Sequence, residues 1–457
     1  MSSGSLNQLP AELLRQICGY LPLEDKLRLS CASSQLRSFL IPDVFRTLRF
    51  TNLRRDEAAI TGVLSRFHQH VKKLCFQFHL FNLGRESDQE SSRPSSNDAF
   101  KFLSETAARL LRGEALPKVG SIIVQFVPEE DFEQGDWGGG QSSIYTFESS
   151  ETQQEAQERE TQSPWRAVMK EAWESLETNP AIKSLEITSL PTVMSTAWCS
   201  DAWKDFLGRL EHLSLGVWGG DNGAGWEANT MDGYTDFLGT VTGRFFLDHL
   251  ISTTDLSIVA RANNPWGGEG MHHAPLPLTP QQLPNLQRLH LTHCIIDPPL
   301  TEFLASHATT LTELCLTGCT SCYGDNLADN GIPWSFFFTS LADSNPVLQN
   351  LTITYGVVPL TQDEWSPKPG MKDPETGAFI PPPDEAEPVR LLREKVKKQD
   401  GFILFPYITL DDKYGMVFEN EDMNLESGQM GDDYAAYQRL WDIVQKNAEN
   451  AVKAKSG

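Results

Sequence analysis

The sequence predicts an α/β protein: a short N-terminal unit of three helices, then an irregular solenoid of strand and helix repeats with long insertions, then a C-terminal cap. Three observations support this class. Apolar residues recur at helical spacing over residues 6–40. A triplet of aliphatic residues, spaced i, i+3 and i+5, then returns along the chain. Near the C-terminus, aromatic and aliphatic residues again fall at helical spacing.

Length and charge restrict the class further. A chain of 457 residues exceeds what one ordinary core supports, so several modules or a repeat array are expected. The 38 basic and 61 acidic residues give a formal charge of −23, which disfavours nucleic acid and anionic membranes as partners. There is no basic and apolar leader, no apolar run of roughly 18 residues, and no dense cysteine framework among eight cysteines. We therefore expect a protein of the cytoplasm, the nucleus or both.

The first helix is predicted to begin at Pro10, because a proline at the first helical position gives up no hydrogen bond. Glu12 suits the positive end of the helix dipole. Leu13, Ile17 and Leu21 recur at i, i+4 and i+8 and form one apolar stripe, and the proline that follows them ends the helix.

Two more helices are predicted before residue 41. Glu24 and Asp25 are the acidic residues that a helix favours in its first turn. The apolar faces of these helices consist of Leu27, Leu29, Leu36, Phe39 and Leu40. A unit of about 35 residues is too small to be stable alone, so it requires a partner or a neighbouring module.

The order of residues in this unit is the most specific signal in the chain. It reads Leu9-Pro10, Glu12-Leu13, Ile17, Tyr20-Leu21, Asp25, Leu27, Leu29-Ser30 and Leu36-Arg37. This order resembles the F-box, the helical motif that docks on the Skp adaptor of SCF ubiquitin ligases, and we assign it residues 1–45. The resemblance implies that the adaptor contacts Leu9, Pro10, Leu13, Ile17, Leu21, Leu27 and Leu36. The alternative is that these leucines face the interior of a larger core.

After a bend predicted at residues 41–45 and a strand at residues 46–50, the aliphatic triplet begins to recur. Its two clearest copies are Leu286, Leu289, Leu291 with Cys294, and Leu311, Leu314, Leu316 with Cys319. They are 25 residues apart and match the leucine-rich repeat signature, which indicates short strands facing a shared core, with the cysteine thiol meeting backbone groups. Residues 300–308 are predicted to form the helix that returns between them.

Weaker copies extend the pattern. They are Val71, Leu74, Phe76; Val119, Ile122, Val124; Ile182, Leu185, Ile187; Leu210, Leu213, Leu215; Thr253, Leu256, Ile258; and Leu348, Leu351, Ile353. Their uneven spacing predicts an irregular leucine-rich-repeat horseshoe over residues 46–360, similar to that of fungal-type F-box proteins. Short alternating apolar runs also occur in any parallel α/β protein, which remains the alternative.

Polar and proline-rich segments are predicted to interrupt or follow this array. Disordered or loose insertions are expected near residues 86–98 and 128–163, and an acidic, proline-rich linker over residues 361–390. Residues 391–457 are expected to form a closing strand near residues 403–409 and a helix through Tyr434, Tyr437, Leu440, Trp441 and Val444.

Catalytic and metal-binding patterns are weak. His293, Cys294, Cys315, Cys319 and Cys322 are chemically suitable for zinc, but their spacing lacks paired CxxC motifs and the repeat already explains the cysteines. His272 and His273 lie in a loop rich in glycine and proline. No nucleophile elbow, phosphate-binding loop or zinc-protease motif occurs. We expect no enzyme activity, no cofactor and no metal.

Aromatic residues follow several predicted strands. Trp218, Trp226, Trp266, Tyr323 and Trp334 lie in or next to the loops after successive strands, which would place them along one rim of the array. Tryptophan and tyrosine dominate binding hot spots, so they are candidates for contact with a target protein. The alternative is that they fill the edge of the solenoid.

Together these patterns predict a substrate-recognition subunit of an SCF-type ligase. The N-terminal helices would bind the Skp adaptor and, through it, a cullin, while the repeats bind a protein target. Such a receptor does no bond chemistry and acts by proximity. The alternative function is a leucine-rich-repeat scaffold without a ligase role, whose N-terminal helices cap the array.

Overall fold

The computed structural model describes residues 9–52, 57–80, 103–127, 144–268, 270–323, 331–361, 386–399 and 401–456. The chain divides into two compact units. One contains residues 1–127 and 159–186, and the other contains residues 128–158 and 187–457. No helix within the described residues combines the length and the apolar character that crossing a membrane requires.

Three helices begin the first unit: α1 (Ala11–Gly19), α2 (Leu23–Ala32) and α3 (Ser34–Val44). The side chain of Ser33 caps α3 by accepting a hydrogen bond from the backbone N–H of Leu36 at 3.1 Å. The bend predicted at residues 41–45 is wrong. The helix continues through Pro42 to Val44, because proline's fixed φ is compatible with a helix and only one backbone hydrogen bond is lost.

The rest of the first unit alternates strands and helices. Its elements include β1 (Thr47–Thr51), α4 (Glu57–Phe67), β2 (Lys73–His79), α5 (Glu105–Leu111) and β3 (Ser121–Val127). Helix α6 (Gln153–Gln162) leads into α7 (Pro164–Glu177), which lies within this unit. The strands pair in parallel, with Leu48 opposite Leu74 and Leu74 opposite Ile122. These three side chains are buried, so the strands share one apolar face.

The second unit continues the alternation. After β4 (Ser184–Leu190) its elements are α8 (Asp201–Gly208), β5 (His212–Val217), α9 (Asp232–Asp236), α10 (Thr242–Phe245), β6 (Asp255–Val259), β7 (Arg288–Thr292), β8 (Ile295–Ile296), α11 (Pro298–Ser306), β9 (Glu313–Thr317), β10 (Thr320–Ser321), α12 (Trp334–Asp343) and β11 (Asn350–Thr354). Short 3-10 helices lie at His68–His70, Ile144–Phe147, Thr196–Cys199, Ala228–Thr230 and Leu247–His249, with one π-helical turn at Phe237–Val241. Helix α11 confirms the return helix predicted at residues 300–308.

A parallel sheet of nine strands has the order β1-β2-β3-β4-β5-β6-β7-β9-β11, which is the order of the sequence. Every predicted triplet places its second and third residues on one of these strands. In the second unit the central leucines stand opposite one another and are at most 3% exposed: Leu213, Leu256, Leu289, Leu314 and Leu351. The predicted strand positions are therefore confirmed, and their register follows from the aliphatic pattern.

Part of a predicted loose insertion is ordered. Residues 144–163 contain a 3-10 helix and α6, so the expectation of disorder is wrong for this half of the segment. Ile144 and Phe147 are buried, and Phe147 packs against Trp218 with 5.2 Å between ring centroids. Burial of these two apolar side chains offsets the entropy of ordering a polar segment. Residues 86–98 and 128–143 lie outside the described residues, as do residues 362–385 of the predicted linker.

The C-terminal part contains α13 (Glu387–Lys398), β12 (Ile408–Leu410), β13 (Val417–Glu419), α14 (Glu421–Met430) and α15 (Asp432–Ser456). Helix α13 begins inside the predicted linker, so the linker boundary at residue 390 is wrong. The predicted final helix is confirmed, with Leu440 and Val444 buried. The predicted strand lies later than expected and pairs in an antiparallel hairpin with β13, which the sequence pattern did not indicate.

Candidate functional site

Two adjacent helices carry an exposed apolar surface. The exposed side chains on or beside α1 and α2 are Leu9, Leu13, Ile17, Tyr20, Leu23 and Leu27, with exposures between 37% and 91%. Pro10 is exposed as well, and α2 has no buried residue. We call these six apolar residues the helical docking face. Monomeric proteins rarely expose so many large apolar side chains together unless a partner covers them.

Helical geometry explains why this face is open. Leu14 and Cys18 of α1 point into a small core with Leu36 and Leu40 of α3. Leu13 and Ile17 each lie one position earlier and therefore point about 100° away from that core. One side of α1 packs against α3, which leaves the other side of α1 available.

Two predicted adaptor contacts are corrected by this arrangement. Leu36 is only 4% exposed and forms part of the small core, so its side chain is not available to a partner. Leu21 is half-buried and packs against the same core. The apolar spacing predicts that both side chains are at least partly covered. It does not show whether the unit's own core or the surface of a partner covers them.

Three of the five predicted target-binding aromatics are also corrected. Trp218, Trp266 and Trp334 are at most 2% exposed and lie inside the second unit. Their burial leaves them no surface to offer a target, in agreement with the alternative that they fill the protein's interior. Trp226 is 37% exposed and packs edge-on against Tyr414, and Tyr323 is 42% exposed, so these two remain candidates for contact with a target.

Trp334 joins α12 to the base of the hairpin formed by β12 and β13. Its indole N–H donates to the backbone carbonyl of Pro406 at 3.0 Å, and its backbone N–H donates to the Tyr407 hydroxyl at 3.2 Å. The Tyr407 hydroxyl in turn donates to Asp433 at 2.8 Å. Burial and the neighbouring Asp433 raise the pKa of Tyr407, which keeps its hydroxyl protonated as a donor. This network fixes the hairpin against the array.

The tip of the hairpin is fixed as well. The Asn229 side-chain amide donates to the carbonyl of Gly415 at 3.0 Å, and the backbone N–H of Glu227 donates to the carbonyl of Tyr414 at 3.0 Å. His272 approaches the carbonyl of Asp412 at 2.7 Å through Nε2. The hairpin is therefore held at both ends, as a rigid wall of a binding site must be.

A cavity of about 380 Å³ lies between this hairpin and the loops that follow β6, β7, β9 and β11. Pockets of roughly 300–1,000 Å³ hold small ligands or single side chains. The lining residues that matter for its chemistry are His293, Gly318, Thr320, Tyr355, Pro406 and Glu419. We refer to this space as the hairpin cavity.

His293 and Gly318 occupy equivalent positions after two consecutive aliphatic triplets, each one residue before the cysteine that follows the triplet. Both have left-handed backbone, with φ of 54° for His293 and 59° for Gly318. Glycine adopts this conformation freely, whereas for histidine it is strained. A strained residue whose side chain lines a cavity is a candidate for function.

We expect Gly318→Ala to lower the free energy of unfolding by at least about 1 kcal/mol. Alanine at position 318 would keep the positive φ that disfavours any residue with a Cβ. Its Cβ would also lie 2.5 Å from ring atoms of His293. Gly356→Ala is the matched control, because Gly356 lines the same cavity and a Cβ there meets no atom within 4 Å. Urea unfolding followed by circular dichroism measures both. Equal midpoints for the two variants would contradict the close packing at Gly318.

The cysteines that follow two of the aliphatic triplets, Cys294 and Cys319, form hydrogen bonds with backbone carbonyls. Cys294 donates from Sγ to the carbonyl of Thr292 at 3.6 Å, and Cys319 donates to the carbonyl of Leu291 at 3.5 Å. Burial is the main reason that the pKa of the Cys294 thiol is raised, and the neighbouring Cys319 raises it further. The predicted role of these thiols is confirmed. Within the ranges that the structure describes, no group of three or more His, Cys, Asp or Glu side chains is placed to hold a metal ion.

Sequence reasoning missed the hairpin cavity almost entirely. The sequence pattern marks His293 only as a candidate zinc ligand and gives no indication of a role for Tyr355 or Glu419. One available signal was His293 itself, since the next repeat has glycine at the equivalent position. The hairpin's contribution had no local signal, because β13 has only three residues and pairs with β12 across a six-residue gap that includes Gly415.

Comparison with known families agrees with the geometry of the first three helices. Residues 6–45 match the F-box domain family. No curated protein matches the chain. The chain therefore carries an F-box domain, and F-box domains bind the Skp adaptor in SCF complexes. F-box proteins are typically non-catalytic adaptors, and the domain indicates in general a substrate-adaptor role.

Proposed function

We propose that this protein is the substrate-recognition subunit of an SCF-type ubiquitin ligase. The helical docking face is the observation that supports the proposal most directly. It consists of large apolar side chains exposed on the domain that matches the F-box family, at the positions Leu9, Leu13, Ile17 and Leu27 that the sequence resemblance implies. Full burial of one such side chain is worth about 1.5–3 kcal/mol, so covering the exposed parts of several of them would add favourable free energy to a complex.

The remainder of the chain is proposed to be a leucine-rich-repeat array that binds a protein target. Support comes from five neighbouring parallel strands whose central leucines stand in register, and from the cysteine thiols that serve the backbone at the repeat position. The receptor would hold the target near the conjugating enzyme that the cullin recruits. Its contribution is effective concentration, without bond chemistry of its own. We propose that it acts in the cytoplasm or the nucleus.

The exposure of the docking face disfavours the alternative in which the three helices merely cap the array. A cap would place Leu13 and Ile17 against the repeats, whereas both are more than 40% exposed. The observed core of α1 and α3 is also local to the three helices. The F-box domain therefore has the organisation of a docking module.

Removal of residues 1–44 is expected to abolish copurification of the Skp adaptor while the rest of the chain stays folded. Phe45 is retained because it stacks on Phe67 with 3.9 Å between centroids. Circular dichroism and the urea midpoint of the truncated chain measure folding, and coexpression with the adaptor measures binding. Unfolding of the truncated chain would favour the cap, because a solenoid without its cap exposes the apolar face of the first repeat.

A further inference from the structure

The hairpin cavity collects polar groups that have no partner among the described residues. Within that part of the chain, Glu419 forms no ion pair and the imidazole of His293 forms no hydrogen bond. The hydroxyl of Tyr355 is buried and has no hydrogen-bond partner among the same residues. Buried polar groups are normally satisfied, so the buried Tyr355 hydroxyl and the half-buried His293 imidazole, with the exposed carboxylate of Glu419 in the same lining, indicate a missing ligand.

The charge of the cavity indicates what kind of ligand it would take. Glu419 is the acidic side chain in the lining, and no lysine or arginine is present among the described lining residues. Although Glu419 is exposed to solvent on one side, desolvation by the surrounding protein raises its pKa, and Glu421 raises it further. A cation placed beside Glu419 would favour its charged form and so lower its pKa again. The imidazole of His293 lines the same cavity, and a ring nitrogen that carries no proton can accept a hydrogen bond from such a cation.

The surroundings favour a polypeptide over an isolated small cation. The cavity lining also contains apolar residues, and one of them, Val357, is 96% exposed. Such an apolar side chain beside a polar pocket can cover the residues that flank an inserted side chain. The formal charge of −23 for the whole chain would also attract a basic polypeptide over a distance.

We propose that the hairpin cavity binds the side chain of a lysine or arginine from the target polypeptide, with Glu419 as its ion-pair partner and His293 as a further acceptor. The inference deepens the proposed function and rests on it for the statement that the bound polypeptide is a ligase target. The wall that supplies Glu419 is the C-terminal hairpin, which Trp334 and Tyr407 hold against the repeats. The site therefore combines parts of the chain that are distant in sequence.

Selection from a random dodecapeptide display library on the full chain in complex with the Skp adaptor tests the proposal. We expect enriched peptides to share a lysine or arginine at one fixed position. A synthetic copy of the most enriched peptide should lose at least about tenfold in affinity when that residue is replaced by glutamine, because a charge-assisted hydrogen bond is lost. Isothermal titration calorimetry at low and high salt measures the affinities, and the difference should shrink at high salt.

Glu419→Gln should lower the affinity for the basic peptide about tenfold and leave the affinity for its glutamine version nearly unchanged. This double-mutant cycle isolates the coupling between Glu419 and the peptide cation. Glu426→Gln is the matched control, since Glu426 is an exposed carboxylate on α14 with the same charge and no place in the cavity lining. It should change either affinity less than twofold.

Three results would overturn the proposal: no peptide is enriched, the enriched peptides lack a common basic residue, or Glu419→Gln binds the basic peptide as well as the wild-type chain does. Binding of the adaptor to the chain tests the proposed function separately. If the wild-type chain fails to bind the adaptor, the ligase role fails, and the cycle is repeated on the chain alone. If Glu419→Gln loses the peptide and still copurifies with the adaptor, the loss belongs to the hairpin cavity.

Discussion

Replacing Ile17 by aspartate should weaken binding of the Skp adaptor at least about 100-fold without unfolding the protein. Ile17 is 43% exposed at the centre of the helical docking face, so the free chain tolerates a polar side chain there. In the proposed complex with the adaptor the same position would be covered. The variant would lose burial of the exposed part of Ile17, about 1 kcal/mol, and would also have to desolvate an unpaired carboxylate, which costs about 3 kcal/mol or more. Since about 1.4 kcal/mol changes affinity tenfold, the two effects together exceed 100-fold.

Ser38→Asp provides the control for this experiment. Ser38 is exposed on α3, on the side of that helix away from Leu36 and Leu40, and the change adds the same charge. Its affinity for the adaptor should stay within about threefold of the wild-type value. Calorimetry with purified adaptor measures both variants, and circular dichroism verifies that the helices persist. Equal loss in the two variants would attribute the effect to charge and not to the docking face.

Trp334→Ala should destabilise the protein by about 3–5 kcal/mol, the range typical for removing a buried tryptophan. The indole is fully buried, stacks on Phe338 with 5.4 Å between centroids and approaches Phe405 at 5.3 Å. Its loss would leave a cavity and remove one of the two hydrogen bonds to the Pro406 carbonyl at the base of the hairpin, since the backbone N–H of Ser321 also donates to that carbonyl. We expect a lower urea midpoint and faster amide hydrogen exchange in residues 406–420.

Two variants separate packing from hydrogen bonding at this position. Trp334→Phe retains an aromatic ring and removes the N–H donor, so it should cost about 1–3 kcal/mol. Phe336→Ala truncates a neighbouring aromatic on the same helix that is 50% exposed, and it should cost less than about 1 kcal/mol. A wild-type midpoint for Trp334→Ala would restore the interpretation of Trp334 as a contact residue for a target.

Several features of the chain could be predicted because their signals are local and periodic. The triplets located β2, β3, β4, β5, β6, β7, β9 and β11, since two alternating aliphatic residues on a strand must face the same side of a sheet. The N-terminal helices were located by prolines and acidic first turns, which act within a few residues. The F-box match to residues 6–45 agrees with the resemblance inferred from the order of side chains in the same segment.

What covers an apolar side chain could not be predicted in this way. Leu13 and Leu36 look alike in sequence, yet the first is exposed for a partner and the second is buried in the unit's own core. Trp226 and Trp266 also follow predicted strands, and only the second is buried. Periodicity shows that a side chain avoids water, but it contains no information about which surface excludes that water.

The sequence alone determined the presence of an F-box domain, the positions of the sheet strands and their register, because these depend on spacing within short segments. The tertiary structure alone decided that a C-terminal hairpin packs against the loops of the repeats, and that His293, Tyr355 and Glu419 line one cavity. Contacts of this kind join residues that are far apart in the chain, and they depend on the packing of several side chains at once. No local pattern encodes them, since each partner's spacing is compatible with many neighbours.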